Sequence, residues 1–256
     1  MAKKRRITKG AKGAKTKGGK TKSAKAKTPK ALHQVRFPGE SARYRTARNA
    51  LLRDEMALRA QVEAVAAKRR TLPLGGAIPE DYVFEERTGD GALRQVRLSE
   101  LFEPGKDTLI VYSYMFGPKM AAPCTSCTSI LDGLDGQSQH VTQRTNFVVV
   151  AKSPIDRIMD VARERGWSGL RLLSSAGNEY NRDYQGENER GDQMPSLNVF
   201  VRRNGGIHHF YQSELLFTPT APGQDGRHVD LIWPLWNLFD VTPEGRGTNW
   251  YPRLRY

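Results

Sequence analysis

Cys124 and Cys127 are the only two cysteines of the chain, and Thr125 and Ser126 separate them. Residues three apart share one helix face, so the two sulfurs can come within bonding range without moving the backbone. A thiolate just before the first turn of a helix faces orphan N–H groups and the positive end of the helix dipole. Both favour the anion and lower the thiol below its free value of about 8.5. Cys124 is therefore the expected nucleophile toward a partner disulfide. Cys127, one turn further in, is expected to resolve the mixed disulfide. Pro123 sets a non-helical entry to the turn. The hydroxyls of Thr125 and Ser126 place no charge between the sulfurs.

Such a pair needs a strand to deliver it and a helix to receive it. The apolar run from Thr108 to Phe116 precedes the cysteines, and within it residues 109–114 read as a buried strand. A helix is expected over 127–143, weakened by Gly133 and Gly136. Residues 147–150 read as a second buried strand. A helix follows over 155–165, opened by Pro154 and closed by Gly166. A third short strand is expected at 170–173 and a polar loop at 175–193. A hairpin over 197–202 and 207–211 turns at Asn204, Gly205 and Gly206. A closing helix is expected over 229–239, with Pro234 inside it or near a kink. Upstream, short strands are expected near Tyr82–Phe84 and Val96–Leu98, around a turn at Gly89–Gly91. Strands alternating with helices imply an α/β fold whose mixed sheet has parallel members and helices on its flanks. This is the order of a thioredoxin-like domain.

An amphipathic helix is expected over 41–70. Ser41 is its N-cap, and Tyr44, Leu51, Leu58 and Val65 recur every seven residues. That stripe suits docking on a neighbouring domain, or a dimer-forming arm. The expected organisation is a disordered Lys-rich tail at 1–32, a helical arm at 33–76, a thioredoxin-like domain at 77–247 and a C-terminal tail at 248–256.

The net charge of +14 is unevenly placed. Residues 1–30 carry 13 of the 41 Lys and Arg and none of the 27 acids, so the remainder is almost neutral. The tail, opened by Lys3, Lys4, Arg5 and Arg6, has too little apolar surface to offset its ordering entropy. It suits loose, salt-sensitive contact with nucleic acid, or serves only as a solvated extension. No stretch approaches the roughly 18 to 20 apolar residues of a membrane span, and no apolar segment follows the N-terminal charges as in a secretory signal. Two cysteines are too few for a disulfide scaffold. A cytoplasmic, reducing setting and no membrane partner are therefore expected; the oligomeric state is not readable.

Zinc is a rival use for the cysteines, but a structural site takes four ligands. The chain has no second Cys-x-x-Cys. His208 and His209 are adjacent, so in a strand they point to opposite faces. His33, His140 and His228 have no ligand spacing. No metal or other cofactor is expected.

Met115, Phe116, Gly117 and Pro118, taken with Cys124–Cys127, resemble a bacterial thioredoxin-like family of unknown function. Its members are described as predicted dithiol-disulfide oxidoreductases. The similarity continues through Ala47–Leu52, Arg69–Pro73, Tyr82–Phe84, Gly166–Trp167, Leu173–Ser175 and Leu238–Arg246, and covers residues 35–247. It implies a thioredoxin-like fold and a redox function with no stated substrate. By resemblance to thioredoxin-like folds, Pro195 would be a cis-proline facing the dithiol, and Met194, Thr125 and Ser126 would share with it a groove for the partner. An ordinary trans-proline at a strand start is the alternative. The chain lacks two thioredoxin features, the Trp-Cys-Gly-Pro-Cys sequence and an acid placed where thioredoxins keep their buried proton acceptor. Thioredoxin-like peroxidases place a threonine three residues before the reactive cysteine; Ala121 stands there.

Two functions follow. One is a thiol–disulfide oxidoreductase acting on a disulfide- or thiol-bearing protein or a small thiol. The other is a non-enzymatic binding protein whose tail contacts nucleic acid.

Overall fold

The computed structural model describes residues 32–255. The tail expected at 1–32, with Lys3, Lys4, Arg5 and Arg6, lies outside the described residues except for Leu32. The chain forms two compact units, the first ending at Ala64 and the second starting at Val65.

Helix α1 spans Ala42–Arg70. The Ser41 hydroxyl accepts the Tyr44 N–H at 3.1 Å, which fixes the start of the helix as its sequence expects. None of its residues is buried, and Tyr44, Leu51 and Leu58 are exposed.

In the second unit, β1 (Val83–Arg87) and β2 (Leu93–Arg97) form an antiparallel hairpin. Then come β3 (Thr108–Ser113), α2 (Thr125–Val141), β4 (Asn146–Ala151), α3 (Ile155–Arg165), β5 (Leu172–Ser174) and α4 (Tyr180–Asp183). Strands β6 (Ser196–Arg203) and β7 (Gly206–Gln212) follow, and then α5 (Pro234–Asp240). The seven strands form one sheet in the order β2-β1-β5-β4-β3-β6-β7. β3 runs parallel to β4, and β4 to β5, while β6 and β7 are antiparallel. This mixed sheet, with α2 following the interior strand β3, has the thioredoxin-like arrangement.

Side chains alternate across the sheet, and the two faces bury different clusters. Tyr112, Phe147 and Val149 point toward α2 and α3, where Ile130, Leu131 and Ile158 meet them. Leu109, Val111, Val148 and Val150 point the other way, onto Tyr82, Phe84 and Tyr180. Every residue of β4 is buried, which is why its sequence reads as an unbroken apolar run rather than an alternating one.

The turn between β6 and β7 needs positive φ at both central residues, and Asn204 (55°) and Gly205 (77°) supply it. At the end of α3, Gly166 adopts φ 71° and the Trp167 N–H reaches the Ala162 carbonyl at 2.9 Å.

Two expectations need correction. The helix expected over 229–239 begins only at Pro234. Proline has no N–H to donate and holds the preceding Trp233 extended, at φ −127° and ψ 90°. Residues 229–233 instead form a turn, with the Trp233 N–H on the Val229 carbonyl at 2.9 Å. The loop expected over 175–193 contains the short helix α4, because Tyr180 buries its ring against Tyr82 and Phe84 at centroid distances of 5.6 and 5.3 Å.

Candidate functional site

Cys124 is the N-cap residue of α2, extended at φ −61° and ψ 126°. Three contacts fix it there. Its N–H donates to the Met115 carbonyl at 3.1 Å. Its own carbonyl accepts from the Thr128 N–H at 3.0 Å and the Thr128 hydroxyl at 2.8 Å. The Thr128 hydroxyl also lies 2.7 Å from the Tyr114 hydroxyl at the end of β3. Strand and helix are thus tied together at the cysteine. On the approach side, the Arg157 guanidinium lies 4.6 Å from the centre of the Phe116 ring and donates to the carbonyls of Pro118 and Met120.

Both cysteines are free thiols; Cys124 is partly exposed and Cys127 buried. In the thiol form Cys124 makes no capping hydrogen bond. The thiolate is the favoured species, because its pKa is pulled down to about 6. The Cys127 thiol beside it contributes most. Burial opposes the shift, and the N–H groups of Cys127 and Ser126 and the Ser126 hydroxyl add to it. Cys127 moves the other way, held well above its ordinary value first by its bond to Cys124 and then by burial. The pair shares a proton, and the asymmetry leaves the charge on the outer sulfur.

Tyr112, on the β3 face toward α2, buries its hydroxyl with no hydrogen-bond partner of good geometry. The group it faces is the Cys127 sulfur. That contact favours the Cys127 thiolate, while burial is the main cause that raises the tyrosine itself.

Cys124, Cys127 and Ser126 line a cavity of about 460 Å³ together with Tyr112 and Pro195. Pro195 directly precedes β6, and β6 pairs with β3. Thr125 is exposed and Met194 half-buried, and neither lines the cavity. Met194 is held by its N–H on the Gly186 carbonyl at 2.9 Å. One wall comes from the segment after β7 and includes Trp236, Trp250 and Tyr251. The signal was present as five aromatics, Trp233, Trp236, Phe239, Trp250 and Tyr251, close together near the end of the sequence.

His209 stacks on Tyr184 with ring centres 5.5 Å apart, and its Nε2 lies 3.0 Å from Asn198 Oδ1. Among the described residues, no three His, Cys, Asp or Glu side chains are grouped to hold a metal ion. No helix of the described residues is long and apolar enough to cross a membrane.

Several solved structures resemble this chain at low identity. A thioredoxin peroxidase I from Plasmodium yoelii is 18% identical, covering 71% of this chain and 100% of its own, with a TM-score of 0.39. The peroxidoxin BcpB of Mycobacterium tuberculosis is 17% identical, covering 63% and 94%, with a TM-score of 0.39. The exposed lipoprotein thioredoxin Etrx1 of Streptococcus pneumoniae is 14% identical, covering 58% and 96%, with a TM-score of 0.36. No curated protein matches the sequence. Residues 34–256 match the model of a family described as bacterial proteins of unknown function, DUF899. The chain therefore belongs to the DUF899 family.

Proposed function

We propose that the protein is a thiol–disulfide oxidoreductase working through Cys124 and Cys127. The observation that carries this reading is the asymmetry of the pair. Cys124 is reachable at a helix N-terminus with its thiol pulled down to about 6, and Cys127 is buried one turn behind with its thiol pushed up. Cys124 attacks one sulfur of a disulfide and forms a mixed disulfide. Cys127 then gives up its proton and attacks the Cys124 sulfur. This closes the Cys124–Cys127 bond and releases the second thiol. The cavity offers the space in which the first attack takes place.

Equilibration in glutathione buffers of graded ratio, followed by acid quenching and mass measurement, tests the reading. A reversible Cys124–Cys127 disulfide that is absent in Cys124→Ser supports it. Two thiols that stay reduced at every ratio would overturn it.

A further inference from the structure

We infer that the cavity beside Cys124 binds a low-molecular-weight disulfide bearing a flat, uncharged aromatic group, and that such molecules are the substrates of the dithiol. This rests on the oxidoreductase reading and specifies its substrate class.

The size of the space is the first argument. A volume of about 460 Å³ falls within the range of about 300–1,000 Å³ typical of small-ligand sites. A folded protein partner covers about 800 Å² on each side and needs an open face. Here the wall carrying Trp236, Trp250 and Tyr251 lines the same cavity as the sulfurs.

That wall is held together by its own contacts. Trp233 is 4% exposed and anchors it in the core. The Trp236 ring lies edge-on to Trp233 at 5.4 Å and to Trp250 at 5.9 Å. Trp250 also meets Phe239 at 5.0 Å. The Arg246 guanidinium lies 5.8 Å from the centre of the Trp236 ring and bonds Asp230 at 2.9 Å and Asp240 at 2.7 Å. Further along, the Leu254 carbonyl accepts from Arg165 at 2.9 Å.

The chemistry of the wall is the second argument. Trp250 and Tyr251 remain 47% and 62% exposed, although they belong to this packed aromatic group. They leave flat apolar surface within reach of a ligand ring. The charges nearby are already paired. Arg227 bonds Asp240 at 2.8 Å and Asp230 at 3.3 Å, and Arg246 is taken by the same two acids. Little unneutralised charge is left to select an anionic disulfide such as that of glutathione.

The reaction balances without another reagent. The Cys124 thiolate attacks one sulfur of R–S–S–R and expels one thiolate, which takes up a proton. The Cys127 thiolate then expels the second. The substrate gains two electrons, and the protein ends as the Cys124–Cys127 disulfide.

The test is a single turnover of reduced full-length protein with 4,4′-dithiodipyridine, glutathione disulfide and insulin in parallel arms. Each rate is normalised to that of a free small thiol. The expected result is a rate that saturates with 4,4′-dithiodipyridine and stays linear with glutathione disulfide, and very slow reduction of insulin. Cys124→Ser should still bind 4,4′-dithiodipyridine, read as quenched tryptophan fluorescence, without turnover. Trp250→Ala and Tyr251→Ala should each lose about tenfold on the aromatic disulfide, the equivalent of about 1.4 kcal/mol. Both should change little on glutathione disulfide. Tyr251 is largely exposed, so its truncation keeps the test valid if Trp250→Ala misfolds. A linear rate that neither variant alters, or insulin reduced as efficiently as the aromatic disulfide, would overturn the inference. Either result would leave the glutathione equilibration of Cys124 and Cys127 intact, whereas failure of that equilibration would remove the oxidoreductase reading itself.

Discussion

The Tyr112 hydroxyl is buried facing the Cys127 sulfur and has no well-formed hydrogen bond of its own. A buried unpartnered hydroxyl costs about 1–3 kcal/mol. Its presence in the core therefore weighs against stability and in favour of the resolving role proposed for Cys127, whose thiolate it helps to stabilise. Tyr112→Phe should leave stability within about 1 kcal/mol of the native value, or raise it. It should also slow the second step, so that the mixed disulfide on Cys124 accumulates. Quenched-flow mass measurement reads this directly. A variant that loses stability and shows no accumulated adduct would assign Tyr112 to packing alone.

Alkylation of Cys124 by iodoacetamide should rise through pH 6 and level off above about pH 7.5, since only the thiolate reacts. The Cys127 thiol contributes most to that lowered value. Cys127→Ala should therefore move the inflection up, and Cys127→Ser, which keeps a donor, by less. An inflection near 8.5 in the native protein would remove the asymmetry on which the proposed roles depend.

Glu86 is buried in β1, opposite Arg94 of β2 in the strand register. Burial alone would push its carboxyl up. Arg171, whose Nε is 2.8 Å away, and Arg94 outweigh that, and the group ends below its ordinary value. A lowered carboxylate adds stability above its unfolded value of about 4.3. That stability is lost as the pH falls through the folded value. Glu86→Gln should cost about 2 kcal/mol at neutral pH and flatten the dependence of urea unfolding on pH below about 4. An unchanged slope would show that the two arginines do not hold the carboxylate.

Asp135 of α2 accepts the backbone N–H groups of Ser168, Gly169 and Leu170 at 3.0, 2.8 and 3.1 Å through one oxygen. Gly169 comes so close to the helix that a Cβ there would lie 2.8 Å from the Asp135 carbonyl oxygen. Asp135→Ala should destabilise by about 2 kcal/mol in urea unfolding. Asp135→Asn keeps an acceptor and should cost less. Equal losses in the two variants would point to charge rather than hydrogen bonding.

Removing residues 1–30 takes away 13 Lys and Arg and no acid. The full chain should shift duplex DNA in a gel at low salt, with a steep loss as salt rises, and the shortened chain should not. Equal shifts from both, or none from the full chain, would leave the segment without a nucleic-acid role.

The elements around the dithiol were legible because local rules govern them. β3 and β4 announce themselves as apolar runs, α3 by Pro154 and Gly166, and the β6–β7 hairpin by Asn204 and Gly205. Cys124 at the mouth of α2 followed from the same logic. Tyr112 was not legible, since in sequence it is one more apolar residue of a buried strand. Its role depends on which face of the sheet it shares with Cys127. The meeting of Trp236 and Trp250 was not legible either, because it is a matter of how a largely irregular segment folds back. Pro234 stands in the first turn of α5 because proline opens a helix more readily than it continues one.

The carboxylates of Asp132 and Asp135 bind the middle of α2 to residues 165–170. Asp132 takes Arg165 at 2.6 Å and the Trp167 indole N–H at 2.8 Å. The helix is therefore clamped beyond Cys127 as well as at Cys124, where Thr128 and Tyr114 tie it to the strand. The helix acts as a fixed mount. The exchange proposed for the pair would then run with the middle of α2 held to residues 165–170.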